Sequence, residues 1–567
     1  MVMDDNQLRV LQIPPPIHPD DPDSPLPETI LIDSFGYLSD RTNATTARGR
    51  RSRTKKKGKR ILVTFWPVAP PRVSCFTVHC PDLKPDVFAD IPKISYTEDD
   101  LVLLSITICP ERQHVYGQNI RYFVYQAGTK KTPPSVKLVH CPAYFRIYDQ
   151  EVALLHCHHQ EMFFIAVLRW AFIDRDYTDG HFNLHLYNSK TKAWNIKLML
   201  LDSPKDFEFR SFNKGITIGG ELGSVGWVDL RRGIIICDLL LDNHSLRYIP
   251  LPSPLSPDPV RGYMLYVRNI TVLQGYIKYF EMHSNVRPGS DTGSSLICEG
   301  WMAATKKIKI SSIGSTSGSS NWEEDCTIRC SDDVPLDSPV YAQMLPNPQE
   351  GDDAKPSLKK IRVGYPALSL HDGDVVYLMH MPDPRGDKAC VIALDMRNKA
   401  VKGVANFGGS GRPLGPSYTY LPSGISKHLG IFSSTSAPPP LTAAPLDHCR
   451  LLEHHRCRRT SVLPLLDIRA AATCHRSLDE KMQMRERKKN DPLAGVAHLL
   501  GRVFLCALLA MDLYRALVVF VARRMFSPSV MRMMCCIANG LVLLKILCIV
   551  STIFVGRVCP LCSMLAM

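Results

Sequence analysis

The sequence predicts an all-β protein, a propeller-like array of antiparallel strands, and three observations carry that prediction. Apolar runs of strand length recur along the chain, and short polar turns close them. The 43 prolines and 34 glycines among 567 residues favour many turns over long helices. The strand-and-turn pattern also repeats at about 50 residues, which is a spacing typical of propeller blades. Another kind of all-β meander is the alternative.

Residues 226–252 carry the clearest version of the pattern, which predicts strand, turn, strand, turn and strand. Trp227 and Asp229 alternate at its start, an apolar run covers 233–241, and a polar turn containing Asn243 follows. Apolar and β-branched runs bounded by Asn, Asp and Pro are typical of strands joined by tight turns. We expect this unit to bury strand against strand and to display its turns, as a binding scaffold does.

Related hairpins are predicted elsewhere in the chain. The three clearest have turns near residues 188, 243 and 398. The second gap is close to three times the first, which suggests units of about 52 residues and a total of six or seven blades. Weaker hairpins are expected within residues 75–94, 122–140 and 300–313.

Five segments resemble a large plant family known as domain of unknown function 1618. These segments are residues 34–47, 70–81, 226–252, 367–379 and 391–408. The resemblance runs from about residue 27 to about residue 429, and the hairpins also resemble kelch-type and F-box-associated repeats. The resemblance implies no activity, so no catalytic, cofactor-binding or metal-binding residue is carried over from it.

Composition divides the chain into four predicted regions. They are a disordered N-terminus (1–27), a β-rich propeller-like domain (28–432), a largely disordered linker (433–496) and an apolar helical tail (497–567). Within the domain, the Gly/Ser-rich segment 314–320 and the polar segment 346–356 are expected to be loops.

The apolar tail contains a candidate membrane anchor. Residues 534–556 hold one charge, Lys545, and the segment is long enough to cross a bilayer as a helix. Arg523, Arg524 and Arg532 precede it, so the positive-inside rule places the β-rich domain in the cytosol. A buried helical hairpin is the alternative interpretation of the tail.

The formal net charge of +14 is unevenly distributed. The run 48–60 and the region after residue 446 hold most of the excess, which leaves the β-rich domain mildly acidic. Nucleic acid is therefore not the expected partner. The basic run is interpreted as a solvated loop between the first strands, and a nuclear import signal or an RNA-phosphate contact is the alternative.

The N-terminal sequence predicts an intracellular, cytoplasmic protein, with the nucleus as the alternative. The first thirty residues are acidic and proline-rich and hold no apolar signal segment. The 19 cysteines are then expected to be mostly reduced thiols.

Histidine and cysteine clusters are weak candidates for metal ligands. His156, Cys157, His158 and His159 are consecutive, so in a strand they would alternate between two faces. A second cluster lies in the linker, with a spacing that fits no standard finger. Its members are His448, Cys449, His454, His455, Cys457, Cys474 and His475. Cys559 and Cys562 adjoin the tail, where palmitoylation is as good an explanation as redox chemistry.

Motifs of enzymes are missing from the sequence. It has no Gly-x-Ser-x-Gly elbow, no dinucleotide fingerprint and no phosphate-binding Gly-x-x-x-x-Gly-Lys loop. Asp99, Asp100, Asp372 and Asp374 flank strands, where turn formation is their commonest role. The prediction is therefore no catalytic, no cofactor-binding and no metal-binding residue, and no evident small-molecule ligand.

The expected function is a non-enzymatic protein-interaction module with an unknown protein partner, and the candidate anchor would make it a membrane-tethered adaptor. The alternative is a hydrolase-type enzyme on the same propeller scaffold. A cluster of buried Asp, Glu or His at the centre of the propeller would favour the enzyme. A channel lined by aliphatic and aromatic side chains would count against it.

Overall fold

The computed structural model describes most of the N-terminal three quarters of the chain. The described residues are 11, 13–16, 27–50, 60–109, 119–129, 131–142, 145–173, 176–201, 211–257, 262–288, 296–313, 322–345, 357–383, 386–409, 411–412, 414 and 419–429. The chain divides into two units, Met1–Pro440 and Leu441–Met567, and every described residue lies in the first.

The first nine strands form most of one large sheet. They are β1 (Ile30–Asp33), β2 (Tyr37–Leu38), β3 (Ala47–Arg50), β4 (Arg60–Trp66), β5 (Val73–His79), β6 (Lys93–Glu98), β7 (Leu101–Thr107), β8 (Ile120–Gln126) and β9 (Ser135–Val139).

Four further sheets follow, and each is an antiparallel meander of four strands paired in chain order. The first holds β10 (Val152–Cys157), β11 (Met162–Ile173), β12 (Asp176–Asn188) and β13 (Ala193–Leu200). The second holds β14 (Lys214–Gly219), β15 (Ser224–Asp229), β16 (Gly233–Asp238) and β17 (Leu246–Pro250). The third holds β18 (Arg268–Leu273), β19 (Tyr276–Pro288), β20 (Leu296–Lys309) and β21 (Glu323–Ile328). The fourth holds β22 (Val363–Leu368), β23 (Val375–His380), β24 (Lys388–Asp395) and β25 (Ala400–Gly408).

The last strand, β26 (Tyr420–Ser423), returns to the first sheet and pairs antiparallel with β1. The order of that sheet is β26-β1-β5-β4-β3-β9-β8-β7-β6, with β2 beside β5. Its second half, β6 to β9, is itself an antiparallel meander like the other four. The two halves are joined by the parallel pairing of β3 with β9.

The first strand of each meander contacts the first strand of the next. Along the chain, β6 contacts β10, which contacts β14, then β18, then β22, and β22 contacts β26. The segment after β1 closes the series, because the Gly36 amide donates to Pro92 O (2.8 Å) and the Ile94 amide donates to Ser34 O (2.9 Å). Each of the four later sheets therefore presents its first strand to two neighbours, and the large sheet presents β6 to one and β26 to the other.

Polar side chains tie these first strands together. Thr217 Oγ1 on β14 donates to Leu154 O on β10 (2.6 Å), and Lys214 Nζ donates to Ile270 O on β18 (3.0 Å). Asn269 on β18 in turn donates to Pro366 O on β22 (2.5 Å). Hydrogen bonds between strands of different sheets fix how each sheet is placed against the next.

The apolar core lies between neighbouring sheets. One buried cluster joins Ala153 and Leu155 of β10 to Val225 and Trp227 of β15. Another joins Trp301 of β20 to the fourth sheet. Trp227 and Trp301 are both fully buried, so they pack in the β core.

The all-β prediction is confirmed in its coarse form. Among the described segments the helices with four or more residues are α1 (Pro339–Met344) and α2 (Ser426–Leu429), and the rest is mostly strand. The three clear hairpins exist as β12–β13, β16–β17 and β24–β25. The weaker hairpin in 122–140 is also confirmed, as β8–β9.

Two of the weaker hairpins and the repeat count were wrong. Residues 75–94 hold β5 and β6, which lie in different halves of the large sheet, because β5 pairs with β4 and β6 pairs with β7. Residues 300–313 hold the end of β20, a continuous strand of 14 residues. One sheet, β18–β21, separates the turns at 243 and 398, so that gap spans two units and not three.

The basic run lies across a hairpin. Its first residues belong to β3 and its last, Arg60, begins β4, while 51–59 fall outside the described residues. The segments 314–320 and 346–356, the linker cluster and the apolar tail also lie outside them. Within the described ranges, no helix has the length and apolar character needed to cross a membrane. The ten described cysteines that the structure identifies as free include Cys326 and Cys330.

Candidate functional site

A cavity of about 980 Å³ lies where the first strands meet. Its lining residues come from β6, β10, β14, β18, β22 and β26 and from the turns that follow or precede them. Glu28 and Ser34, on either side of β1, also line it, so seven separate segments of the chain share one cavity. Cavities of this size are typical of small-molecule sites.

The turn between β6 and β7 brings two carboxylates to the cavity region. Asp99 has a positive φ of 49°, a left-handed conformation that Asp tolerates better than most residues. The next residue, Asp100, is buried. The sequence predicts a turn at both residues, which the structure confirms, but it does not predict the role in the cavity.

The end of β10 brings two histidines to the same place. β10 ends at Cys157, and His158 begins a short 3-10 helix instead of continuing the strand. His156 and His158 therefore lie side by side, with their ring centroids 3.9 Å apart. Both line the cavity, whereas His159 is exposed and does not. The expected alternation applies to residues within a strand, and β10 includes His156 and Cys157 but not His158 and His159.

Asp99 is the centre of a carboxylate–histidine cluster. Its Oδ2 lies 2.8 Å from His158 Nε2, and its Oδ1 lies 2.8 Å from His428 Nε2 in α2. The hydrogen bond from His428 holds the pKa of Asp99 below its usual range, and the same bond raises the pKa of His428. Asp99 and His428 are 329 positions apart in the sequence.

His156 faces the second carboxylate of the turn. Its Nδ1 lies 2.6 Å from Asp100 Oδ1, and the two side chains are 6% and 9% exposed. The two atoms are close but not aligned for a hydrogen bond, so neither has a hydrogen-bond partner. Asp100 Oδ2 accepts a bond from Gln126 (3.1 Å). A buried imidazole nitrogen without a partner is unusual in a folded protein.

Glu98 lies beside the cluster and also lines the cavity. Burial raises the pKa of Glu98 to about 8, the nearby charge of Asp99 adds to that rise, and a hydrogen bond with Thr217 opposes it. Thr217 Oγ1 also lies 3.1 Å from the Tyr96 hydroxyl. A carboxyl group with a perturbed pKa inside a cavity is a marker of functional sites.

Lys214 contributes the opposite charge from β14. Burial lowers the pKa of Lys214 to about 8, and its Nζ donates to Asn269 Oδ1 (3.1 Å) as well as to Ile270 O. Two further pairs of lining side chains neutralise each other. Lys93 pairs with Asp149, and His371 Nδ1 lies 3.0 Å from Glu28 Oε2. The cavity is therefore polar without a large excess of either charge.

The other close group of acidic and thiol side chains has a structural role. Asp325, Cys326 and Asp374 lie near one another outside the cavity lining. Lys278 and Lys307 contact Asp325 at 2.5 and 3.1 Å, and Arg397 contacts Asp374 at 2.6 Å. These cations neutralise the carboxylates and tie the third sheet to the fourth.

The structure thus assembles a site that sequence reasoning did not predict. Asp99, His156 and His158 are each visible in the sequence, as a turn residue and as part of a histidine run, but their meeting is not. One feature of the sequence could have predicted it: both histidines lie at the end of an apolar strand or just after it. Residues at the ends of neighbouring strands can meet at the same edge of a fold.

One family model matches part of the chain. Residues 227–377 match the family described as protein of unknown function, DUF1618. The match begins in β15 and ends in β23, so it covers the later part of the second meander, the whole third meander and the start of the fourth. The resemblance seen in the sequence is supported over these residues. No curated protein matches the chain.

Several solved structures resemble parts of the chain at low identity. MPT-1, a GDP-Man-dependent mannosyltransferase from Leishmania mexicana, is 14% identical, with 56% of this chain and 85% of that chain covered and a TM-score of 0.18. The WD40 domain of SCAP from fission yeast is 12% identical, with 66% and 76% covered and a TM-score of 0.23. MPT-4, a mannose phosphorylase from Leishmania mexicana, is 8% identical, with 56% and 83% covered and a TM-score of 0.18. With TM-scores this low, none of these similarities bears on fold or function.

Proposed function

We propose that residues 28–432 form a six-bladed β-propeller and act as a hydrolase-type enzyme on a small polar substrate bound in the central cavity. The single observation that carries the function is the cluster of Asp99, His156 and His158 that lines that cavity, in which Asp99 also pairs with His428. Such a cluster is the feature that favours an enzyme over an interaction module on this scaffold.

The propeller is supported by the sheet order. The four later meanders supply four blades, and β6–β9 supply a fifth. The sixth consists of β26, β1, β5 and β4, in which the last strand of the domain completes the first blade. Propellers are commonly closed by pairing the two ends of the chain, which leaves no open gap between first and last blades.

The chemistry is supported by the types of side chain present. Carboxyl and imidazole groups are the usual general acids and bases, and hydrolysis needs one group to activate water and another to protonate the leaving group. Glu98 and the Asp99–His158 pair place both kinds of group beside one polar cavity. Lys214 adds a cation that can hold an anionic or carbonyl oxygen of the substrate.

Substitution Glu98→Gln tests this proposal. It keeps the size of the side chain and removes its acid–base function, so kcat/KM should fall by about 100-fold or more. Hydrolysis of chromogenic esters, glycosides and phosphate esters by the full chain is measured for the wild type, Glu98→Gln and His159→Ala. His159 is exposed and outside the cavity, so the control should match the wild type.

Two results would contradict this proposal, the first for the role of Glu98 and the second for enzyme activity as a whole. Equal rates for the wild type and Glu98→Gln would remove Glu98 from the reaction. A wild-type chain that hydrolyses none of the three substrate classes would return the proposal to a protein-interaction module.

That second candidate is favoured by one surface feature. β13 is the outer strand of its sheet, and Ile196, Leu198 and Leu200 on it are 58%, 55% and 62% exposed. They occur at every second position, so they form an apolar stripe on one face of an edge strand. Such edges are used to bind extended peptides. Protein binding, membrane tethering and cytoplasmic location stay predictions.

A further inference from the structure

We propose that Asp99, His156 and His158 form a binding site for one divalent transition-metal ion of the zinc type. The inference goes beyond the proposed hydrolase function, because it concerns an ion that the chain's own side chains would hold without any substrate. It rests on donor type, spacing, burial and local charge.

The donor set matches zinc and its neighbours in the first transition row. Two imidazoles and one carboxylate are a common three-residue set for such ions, with the remaining position left open to water or substrate. Calcium and magnesium prefer oxygen ligands alone, so two histidines disfavour them.

The spacing also fits. One ligand atom from each of the three side chains lies within 4.8 Å of the other two. An ion about 2.1 Å from each ligand brings those ligands to within about 3–4 Å of one another. The present contact of 2.8 Å between Asp99 and His158 needs to open only slightly for an ion to take its place.

Burial of His156 supplies an independent reason. Its side chain is 6% exposed, lines the cavity beside the other two, and has a nitrogen without a hydrogen-bond partner. An imidazole held in this way is ready to bind an ion, since binding satisfies a nitrogen that is otherwise buried at a cost.

The surrounding groups are those that support metal ligands. His428 holds the remaining oxygen of Asp99 at 2.8 Å. Asp100 Oδ1, which lies 2.6 Å from His156 Nδ1 without a hydrogen bond between them, adds a negative charge that favours a cation there. Groups that contact the ligands in this way orient them and strengthen binding. The acidic group Asp325–Asp374 lacks this character, because lysine and arginine side chains already occupy it.

Zinc titration of the full chain, with a chromogenic chelator as competitor, tests the site. We expect His158→Ala to bind one fewer Zn²⁺ ion than the wild type or to bind it at least about 100-fold more weakly. His158 is 58% exposed, so its loss should leave the fold intact. Asp99→Asn is the second variant, and His159→Ala is the matched control that should keep wild-type affinity.

Cobalt separates this site from cysteine sites elsewhere in the chain, because thiolate ligands produce charge-transfer absorption that nitrogen and oxygen ligands do not. The proposal predicts that the signal lost in His158→Ala lacks this absorption. It is overturned if His158→Ala and Asp99→Asn bind zinc with the stoichiometry and affinity of the wild type, or if the wild type binds none. Hydrolysis without added metal that depends on Glu98 would leave the enzyme proposal standing in that case.

Discussion

Replacement of Arg412 by methionine is expected to lower the free energy of unfolding by about 3–5 kcal/mol at pH 8, because it leaves a buried carboxylate without its cation. Arg412 Nη1 lies 3.4 Å from Asp33 Oδ2, and both side chains are less than a tenth exposed. The guanidinium also donates to Phe35 O (3.1 Å) and Gly36 O (3.0 Å). It thereby fixes the chain before β26 to the chain after β1.

The loss should be smaller at acid pH. Burial raises the pKa of Asp33 to about 6, while Arg412 opposes the rise. Between pH 4 and pH 6, roughly, the folded chain keeps the Asp33 proton and the unfolded chain has lost it. The contribution of Asp33 to the free energy of unfolding therefore falls as the pH rises through this range. Without Arg412 that window extends to higher pH, so the variant differs from the wild type more at pH 8 than at pH 5.

Urea unfolding of the full chain at both pH values, followed by circular dichroism, measures this. The matched control is Arg397→Met, which breaks an ion pair with Asp374 in which the arginine is 55% exposed, so the free energy of unfolding should change much less than in Arg412→Met. An Arg412→Met chain as stable as the control at pH 8 would show that the two chain ends are not fixed by this contact.

Replacement of Trp227 by alanine should cost about 3–5 kcal/mol, since it removes a fully buried indole between two sheets. The ring packs among Ala153 and Leu155 of the neighbouring meander. Its Nε1 donates to Glu151 O, at 2.7 Å, just before β10. The side chain thus joins the first and second meanders by both packing and a hydrogen bond.

Two variants separate these contributions in the same unfolding experiment. Trp227→Phe keeps most of the packing and removes one of two hydrogen bonds to the Glu151 carbonyl, which also accepts from the Leu168 amide (3.1 Å). The loss should therefore be about 0.5–1.5 kcal/mol, that of a single hydrogen bond. Trp322→Ala removes a less buried indole that also donates to a carbonyl, Pro250 O, and should cost less than Trp227→Ala. Equal losses for Trp227→Ala and Trp322→Ala would argue against a shared core between the two meanders.

The parts of the fold that depend on neighbouring residues could be predicted from the sequence. The β16–β17 and β24–β25 hairpins are predicted by apolar runs that end in turns of Asp, Asn and Lys. A tight turn places the second strand beside the first, so the two strands pair. The same logic failed for residues 75–94. β5 pairs with β4, the strand before it in the chain, and with β1. The residues of the turn after β5 do not predict either pairing.

The candidate site could not be predicted, because its residues are brought together by contacts between sheets. Asp99 follows β6, His156 ends β10 and His428 follows β26. These side chains come together only through the order of the first strands and the pairing of β26 with β1, and no single segment of the sequence determines either. The 3-10 turn that places His158 beside His156 depends on where β10 stops, and the sequence HCHH alone does not fix that point.

The pairing of β26 with β1 closes a continuous series of sheets around the cavity, and amide hydrogen exchange of β1 tests that closure. Two chains are compared, one ending at residue 432 and one ending at residue 418, before β26. We expect slow amide exchange for Ile30–Asp33 in the longer chain and much faster exchange in the shorter one, because β1 loses its antiparallel partner. Equal protection of Ile30–Asp33 in the two chains would contradict it.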